Sequence, residues 1–312
     1  MTAVDAPVKS PLPKHVPLNL ADAKSLDSLG PLAALLGKWS GIGWNMIAVP
    51  NGNGGFELLV NEIDETITFT AIEALVPNRS NGGGTMLLAG VSYDIKVTDA
   101  TEGPNFGNLL HAESGMWLWP TNLAPKVTDT TATDEIFTPD TVVRIATVPH
   151  GNSLVAIGPF SKFKGAPKIP NISGLPTPVK GALNGYSESY RGKRGNFDPQ
   201  QPNSFLIDQN KKADIVSTLE LSVTTSDDVD GGIVNIPFIR QYADAKALAS
   251  TFWVETVKDA TTGELSQQLQ YSQTVDIYFH KHFDETPGLI KWPHVTVNTL
   301  AFVNEPVPVV VD

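Results

Sequence analysis

The chain has no cysteine among its 312 residues. That excludes a disulfide framework, a thiolate nucleophile and any Cys-ligated zinc or iron–sulfur centre. A cationic footprint is also missing. Lys and Arg number 22 against 33 Asp and Glu, a formal charge of −11, with no dense basic run. Nucleic acid is therefore not an expected partner, and the acidic balance disfavours membranes rich in anionic lipid. No stretch approaches the roughly 20 apolar residues of a membrane-spanning helix. The first twenty residues hold no uninterrupted apolar run of the kind a secretory signal needs, so a soluble, cytoplasmic protein is expected. Hydrolase and dinucleotide signatures are absent too. Ser114, in Glu113-Ser114-Gly115-Met116, lacks the strand–turn–helix setting of a nucleophile elbow. The glycines around Gly41-Ile42-Gly43 and Asn53-Gly54-Gly55 open no helix that would cradle a phosphate.

What is present is enough apolar mass for a core, with 41% hydrophobic and 18% charged residues. The length lies at the upper edge of one all-β domain, so one domain is expected rather than two. Punctuation by 26 glycines and 24 prolines breaks the chain into short runs. Only Asp22 to Leu36 reads as helical, through Leu26, Leu29, Leu32, Leu35 and Leu36. Gly30-Pro31 cuts that pattern into two short helical turns.

From Gly37 onward, runs rich in Val, Ile, Thr and aromatics read as strands, each bounded by Gly, Pro, Asn or Asp. They are Trp39–Ile47, Ile63–Ile72, Met86–Val97, Leu109–Trp119, Val142–Val148, Leu154–Phe160, Asp214–Thr224, Thr251–Val257, Leu269–Phe279 and His294–Phe302. About ten strands without crossover helices imply antiparallel pairing, and a sheet of that size closes to hide its edges. The expected fold is an all-β, antiparallel closed β-barrel of about ten strands with short N-terminal helical turns. Residues 1–30 form a leader with a short helical segment, and 31–312 a single barrel domain. Ser161 to Asn210, full of Pro, Gly and polar residues, reads as a long loop insertion, partly ordered on the surface. Its cluster Lys162, Lys164, Lys168, Arg191, Lys193 and Arg194 either attracts an anion or only solubilises the loop.

With cysteine absent, histidines and carboxylates carry the candidate chemistry. His15 lies in the Pro-rich leader. His280 and His282, at i and i+2 with Asp284 and Glu285 nearby, read as a metal pair or as a hydrated turn. His111 and Glu113 share one face of a strand, as an acid–base couple or as a satisfied polar pair. His150, between Pro149 and Gly151, is a turn histidine, solvated or on a pocket rim. Alternation places His294, Thr296 and Asn298 on one face of the last strand and Val295 and Val297 on the other. Either the valines face the core and His294 faces water, or the barrel is wide and His294 points into an apolar cavity. In the second case the neutral imidazole is suited to be an axial ligand of haem iron.

Three segments, in order, carry a resemblance. Leu35-Leu36-Gly37-Lys38-Trp39-Ser40-Gly41-Ile42-Gly43 resembles the opening L-G-x-W-x-G-x-G strand of the nitrobindin-like haem-binding β-barrels, relatives in shape of lipocalins and fatty-acid-binding proteins. Leu110-His111-Ala112-Glu113-Ser114-Gly115 is similar to that family's mid-barrel H-x-E-x-G strand. Gln273-Thr274-Val275, a turn and His294-Val295-Thr296-Val297 are similar to its closing hairpin. The resemblance covers about half the chain and implies a noncovalent ferric haem b with His294 as the proximal ligand of its iron. It further implies a nearly open sixth position that binds nitric oxide and converts reactive nitrogen species such as peroxynitrite, as an isomerase or with weak peroxidase-like activity. Trp39, Trp44, Met116, Trp117 and Trp292 are the candidate cofactor-wall residues, plain β-core packing being the other reading. Two further functions compete with this one. The first is a haem-free, lipocalin-like carrier of an apolar small molecule. The second is a barrel enzyme using His111, Glu113 or His150 as acid and base, with Arg144 steadying a developing negative charge. Oligomeric state is left open.

Overall fold

The computed structural model describes residues 16–17, 26–51, 55–77, 86–121, 140–177, 187–225, 231–281 and 287–303. Ten long strands dominate it: β1 (Gly37–Pro50), β2 (Phe56–Ala71), β3 (Leu87–Asp99), β4 (Leu109–Pro120), β5 (Thr141–Val148), β6 (Asn152–Lys164), β7 (Asp214–Thr224), β8 (Asp244–Lys258), β9 (Leu265–Lys281) and β10 (Leu289–Val303). Each pairs antiparallel with its neighbour in sequence, and β10 returns to pair with β1 from Val295↔Met46 to Val303↔Lys38. The result is a closed ten-stranded up-and-down barrel with no free edge. All ten strand expectations are met, and most strands run beyond their apolar runs. β8 begins at Asp244, seven residues before Thr251, because Ala245–Leu248 ladders onto β9 despite weak β propensity.

One end of the barrel is plugged by a 3₁₀ helix, Gly30–Leu35, with Pro31 in its first turn. Gly30 sits at φ +56°, and any Cβ there would lie within 2.4 Å of the Trp119 ring. Leu32 and Leu35 bury into the main core. The indole of Trp39 donates to the Leu35 carbonyl at 2.8 Å, which fixes the plug to β1. Gly43 faces the neighbouring strand, where a Cβ would stand 1.6 Å from Asn298 Oδ1. The second glycine of the G-x-G motif thus leaves room for a polar side chain of β10.

The segment expected as a surface loop over 161–210 is more than that. Ser161 to Lys164 continue β6, and Ser204–Asn210 form a short helix, α1. Between them the described residues 165–177 and 187–203 strap across the outside of the barrel, and Thr177 pairs with Lys291 through two backbone hydrogen bonds of 2.9 and 2.8 Å. Tyr190, Phe197, Phe205 and Leu206 bury against Trp44, Met46, Trp253, Val295 and Val297. This second apolar layer decides the face of β10. Val295 and Val297 point outward and still escape water, so His294, Thr296 and Asn298 point inward.

Candidate functional site

The end of the barrel opposite the plug holds a cavity of about 380 Å³, near the lower end of the usual range for ligand pockets. Its mouth is covered by Gly232–Asn235, which pairs with the start of β6, and by α2 (Pro237–Tyr242). Ile233, Ile239 and Ala243 from this cover line the cavity. Ile236 N–H donates to the Gly151 carbonyl at 2.9 Å, and Asn235 Nδ2 to the Ala245 carbonyl at 2.8 Å, which hold the cover down. The outer side of α2 shows Phe238 and Tyr242 to solvent.

The polar wall is built by β4 and β5. Arg144 is 1% exposed and Glu113 4%. Arg144 Nη2 donates to Glu113 Oε1 at 2.6 Å, Nε to Tyr93 Oη at 2.9 Å, and Nη1 to Ser250 Oγ at 2.9 Å and Gln273 Oε1 at 2.6 Å. Tyr93 Oη donates to Glu113 Oε1 at 2.5 Å. The guanidinium also lies 5.2 Å from the Phe252 ring centre and 5.4 Å from that of Tyr93. Burial, the largest single influence, pushes the Glu113 carboxyl up, but the Arg144 charge, the nearby His111 and the Tyr93 hydrogen bond together outweigh it. The carboxyl is held down at about 2 and is ionised. With four donated hydrogen bonds out of five N–H groups, Arg144 serves the wall rather than a ligand. A role in steadying charge on a substrate is not supported by its geometry.

Deeper in the barrel stands a second polar cluster. Tyr271 Oη and Asn298 Nδ2 each donate to Glu65 Oε2 at 2.6 Å. Burial pushes the Glu65 carboxyl up to about 8, so it is protonated near neutrality. A neutral acid here spares the interior an uncompensated charge.

Three histidines face the cavity. His294 Nε2 lies 2.8 Å from Asn45 Oδ1, which also accepts from Thr296 Oγ1 at 3.0 Å. Nε2 therefore carries the proton and Nδ1 the lone pair. Burial first, and the proximity of His111 and His150 second, push the His294 imidazole down to about 3, so it is neutral. The rings of His111 and His150 stack at 5.3 Å between centroids, 26° apart. His111 Nε2 stands 3.6 Å from Glu113 Oε2. His150 has no hydrogen-bond partner among the described residues. Its imidazole is pushed below the usual value by burial and then by His111.

The structure thus brings His111, Glu113, His150 and His294 to one cavity, one of the alternatives that the strand pattern left open. It does not bring the proposed wall aromatics there. Trp39 lies in the core at the plugged end, 5.1 Å from Phe302, and Trp117 is packed in the same core. Trp44 is on the outside, stacked on Phe197 at 5.3 Å. Met116 points outward and is 44% exposed. Trp292 stacks on Phe279 at 4.9 Å in the β9–β10 hairpin, ahead of the point where β10 joins β1. The actual wall is aliphatic, with Ile47, Val49, Val97, Leu248, Val275 and Ile277. Asn45 and Gln273 are polar wall residues that composition did not single out. The alternation Trp39, Gly41, Gly43, Asn45 on one face of β1 contains the signal for the first.

His280 Nε2 donates to the Gly55 carbonyl at 2.6 Å; His15, His282, Asp284 and Glu285 lie outside the described residues. Among the described residues no group of three or more His, Cys, Asp or Glu is placed to hold a metal ion. No described helix is long and apolar enough to cross a membrane.

Fold and cavity define a closed antiparallel β-barrel whose interior is compatible with binding a small ligand. No family model matches the chain, and no curated protein matches it. Among solved structures it is similar to Rv2717c from M. tuberculosis, at 15% identity over 88% of this chain and 97% of that one, with a TM-score of 0.42. Nothing about function follows from a likeness of this degree.

Proposed function

We propose that the barrel binds a small, largely apolar molecule in this cavity, and that haem held by His294 is its occupant. The observation that carries the reading is a neutral imidazole directed into an aliphatic chamber. The donor set fits a b-type haem, which needs one neutral nitrogen ligand and an apolar surround. The three ordered motifs that resemble nitrobindin-like barrels support the same reading. Bound haem would supply an iron with an open face for small diatomics or reactive nitrogen species. The chain's own part is to hold and orient. Asn45 sets the ring of His294, so ligation uses Nδ1 or requires Asn45 to release Nε2. The aliphatic wall and the α2 cover exclude water.

Hemin titrated into the purified protein should give a sharp Soret band at one equivalent. His294→Ala, checked for native strand content by circular dichroism, should abolish or shift it. An unchanged band in that variant overturns haem ligation by His294. A second reading, a haem-free carrier, is favoured by the engagement of His294 Nε2 with Asn45. Mass spectrometry of an organic extract separates the two, since a stoichiometric lipophile without haem favours the carrier.

A further inference from the structure

We infer that the cavity's occupant is an amphiphile ending in a carboxylate, and that His111 and His150 receive that end. The inference rests on the cavity being a ligand pocket, and not on the occupant being haem.

The titratable side chains on the cavity wall are His111, Glu113, Arg144, His150, Tyr271 and His294. Arg144 and Glu113 neutralise each other at 2.6 Å. Tyr271 is engaged with Glu65, and His294 with Asn45. What remains is the stacked pair. His150 presents an imidazole with no hydrogen-bond partner among the described residues, beside the aliphatic side chains of Val148, Leu154 and Ile233 that also line the cavity. His150 is exposed at the cavity mouth, so its ring nitrogens are open to a ligand's polar end as well as to water. His111 is backed by Glu113 Oε2 at 3.6 Å, which leaves the ring's other edge toward His150 and the cavity. Two stacked rings, 5.3 Å apart and inclined by 26°, therefore put neighbouring ring nitrogens at one place on the cavity wall. Two neighbouring N–H donors match the two oxygens of a carboxylate. A neutral carbonyl or hydroxyl would need only one of them. The arriving anion favours the charged imidazole and so opposes the burial and the His111 proximity that push His150 down. Binding is consequently linked to proton uptake.

A carboxylate on an apolar body has two sources, the propionates of haem or a free long-chain acid. The test uses both. cis-Parinaric acid and its methyl ester are titrated by fluorescence at pH 6 and pH 8, and hemin and hemin dimethyl ester by absorbance at the same two values. The acid member of one pair should bind about tenfold more tightly at pH 6 than at pH 8, the size of one opposite-charge pK shift. Its ester should be flat with pH. His150→Phe should flatten the acid's profile while ester binding persists. Preference within the parinaric pair assigns the site to a free acid, and preference within the hemin pair to propionates; either supports the inference. Equal, pH-independent binding of acids and esters overturns it and leaves the pocket standing. Retention of the pH profile in His150→Phe overturns it as well. Failure of all four probes to bind removes the pocket reading itself, and the inference with it.

Discussion

Arg144→Met should destabilise the protein by about 3–5 kcal/mol, the cost of stranding a buried charge. The substitution removes four hydrogen bonds and leaves the ionised Glu113 carboxylate at 4% exposure, with no cation beside it. Tyr93, Ser250 and Gln273 lose their donor at the same time. The double variant Arg144→Met with Glu113→Gln should recover most of that loss, because no buried charge remains and apolar packing can replace a buried ion pair at little net cost. Urea midpoints for the two single variants and the double variant check this. A cost below about 1 kcal/mol for Arg144→Met would place the pair in water, as for an exposed ion pair, and the polar wall of the cavity would not be as described.

Phe205→Ala should cost about 3–5 kcal/mol, the range for truncating a buried phenylalanine. Phe205 lies on α1, 1% exposed, inside the layer that the strap lays over the outer faces of β1 and β10. If the segment were a surface excursion, the change would fall within the ±0.5 kcal/mol usual for exposed sites. Phe238→Ala on α2 is the control. That ring is 66% exposed, and its loss should fall within that smaller range. The contrast separates a phenylalanine that holds the strap to the barrel from one that decorates the cover.

The strands were legible because β-branched and aromatic runs between turn residues depend only on local sequence. Closure followed from their number and the lack of crossover helices. The strap was not legible. Tyr190, Phe197, Phe205 and Leu206 recur at no helical or strand period, and only tertiary contact buries them. That gap also hid which face of β10 looks inward, because Val295 and Val297 look like core residues whichever layer covers them. His111, His150 and His294 were legible as candidates on strands or a turn, but which way each ring points was left open by the sequence. The aromatic wall was not, since Trp39 and Trp44 are an odd number of residues apart on β1 and must face opposite sides. One faces the core and the other the strap, and neither reaches the cavity. Arg144 was noticed as a helper for chemistry, but two of its four partners, Ser250 and Gln273, come from strands more than 100 residues away.

The account stands on where β10 aims the imidazole of His294. Nitrogen NMR of the ring, assigned by its loss in His294→Gln, reads that directly. Burial places the folded-state value near 3, below the ordinary 6.5. The ring should therefore stay neutral from pH 8 to pH 5, with its proton on Nε2. An unfolded chain would protonate there, so the stability tied to this group is full above about pH 6.5 and declines as pH falls toward 3. A ring that titrates near pH 6.5 in the folded protein would show that His294 faces water, and the chamber would lose the group on which its chemistry depends.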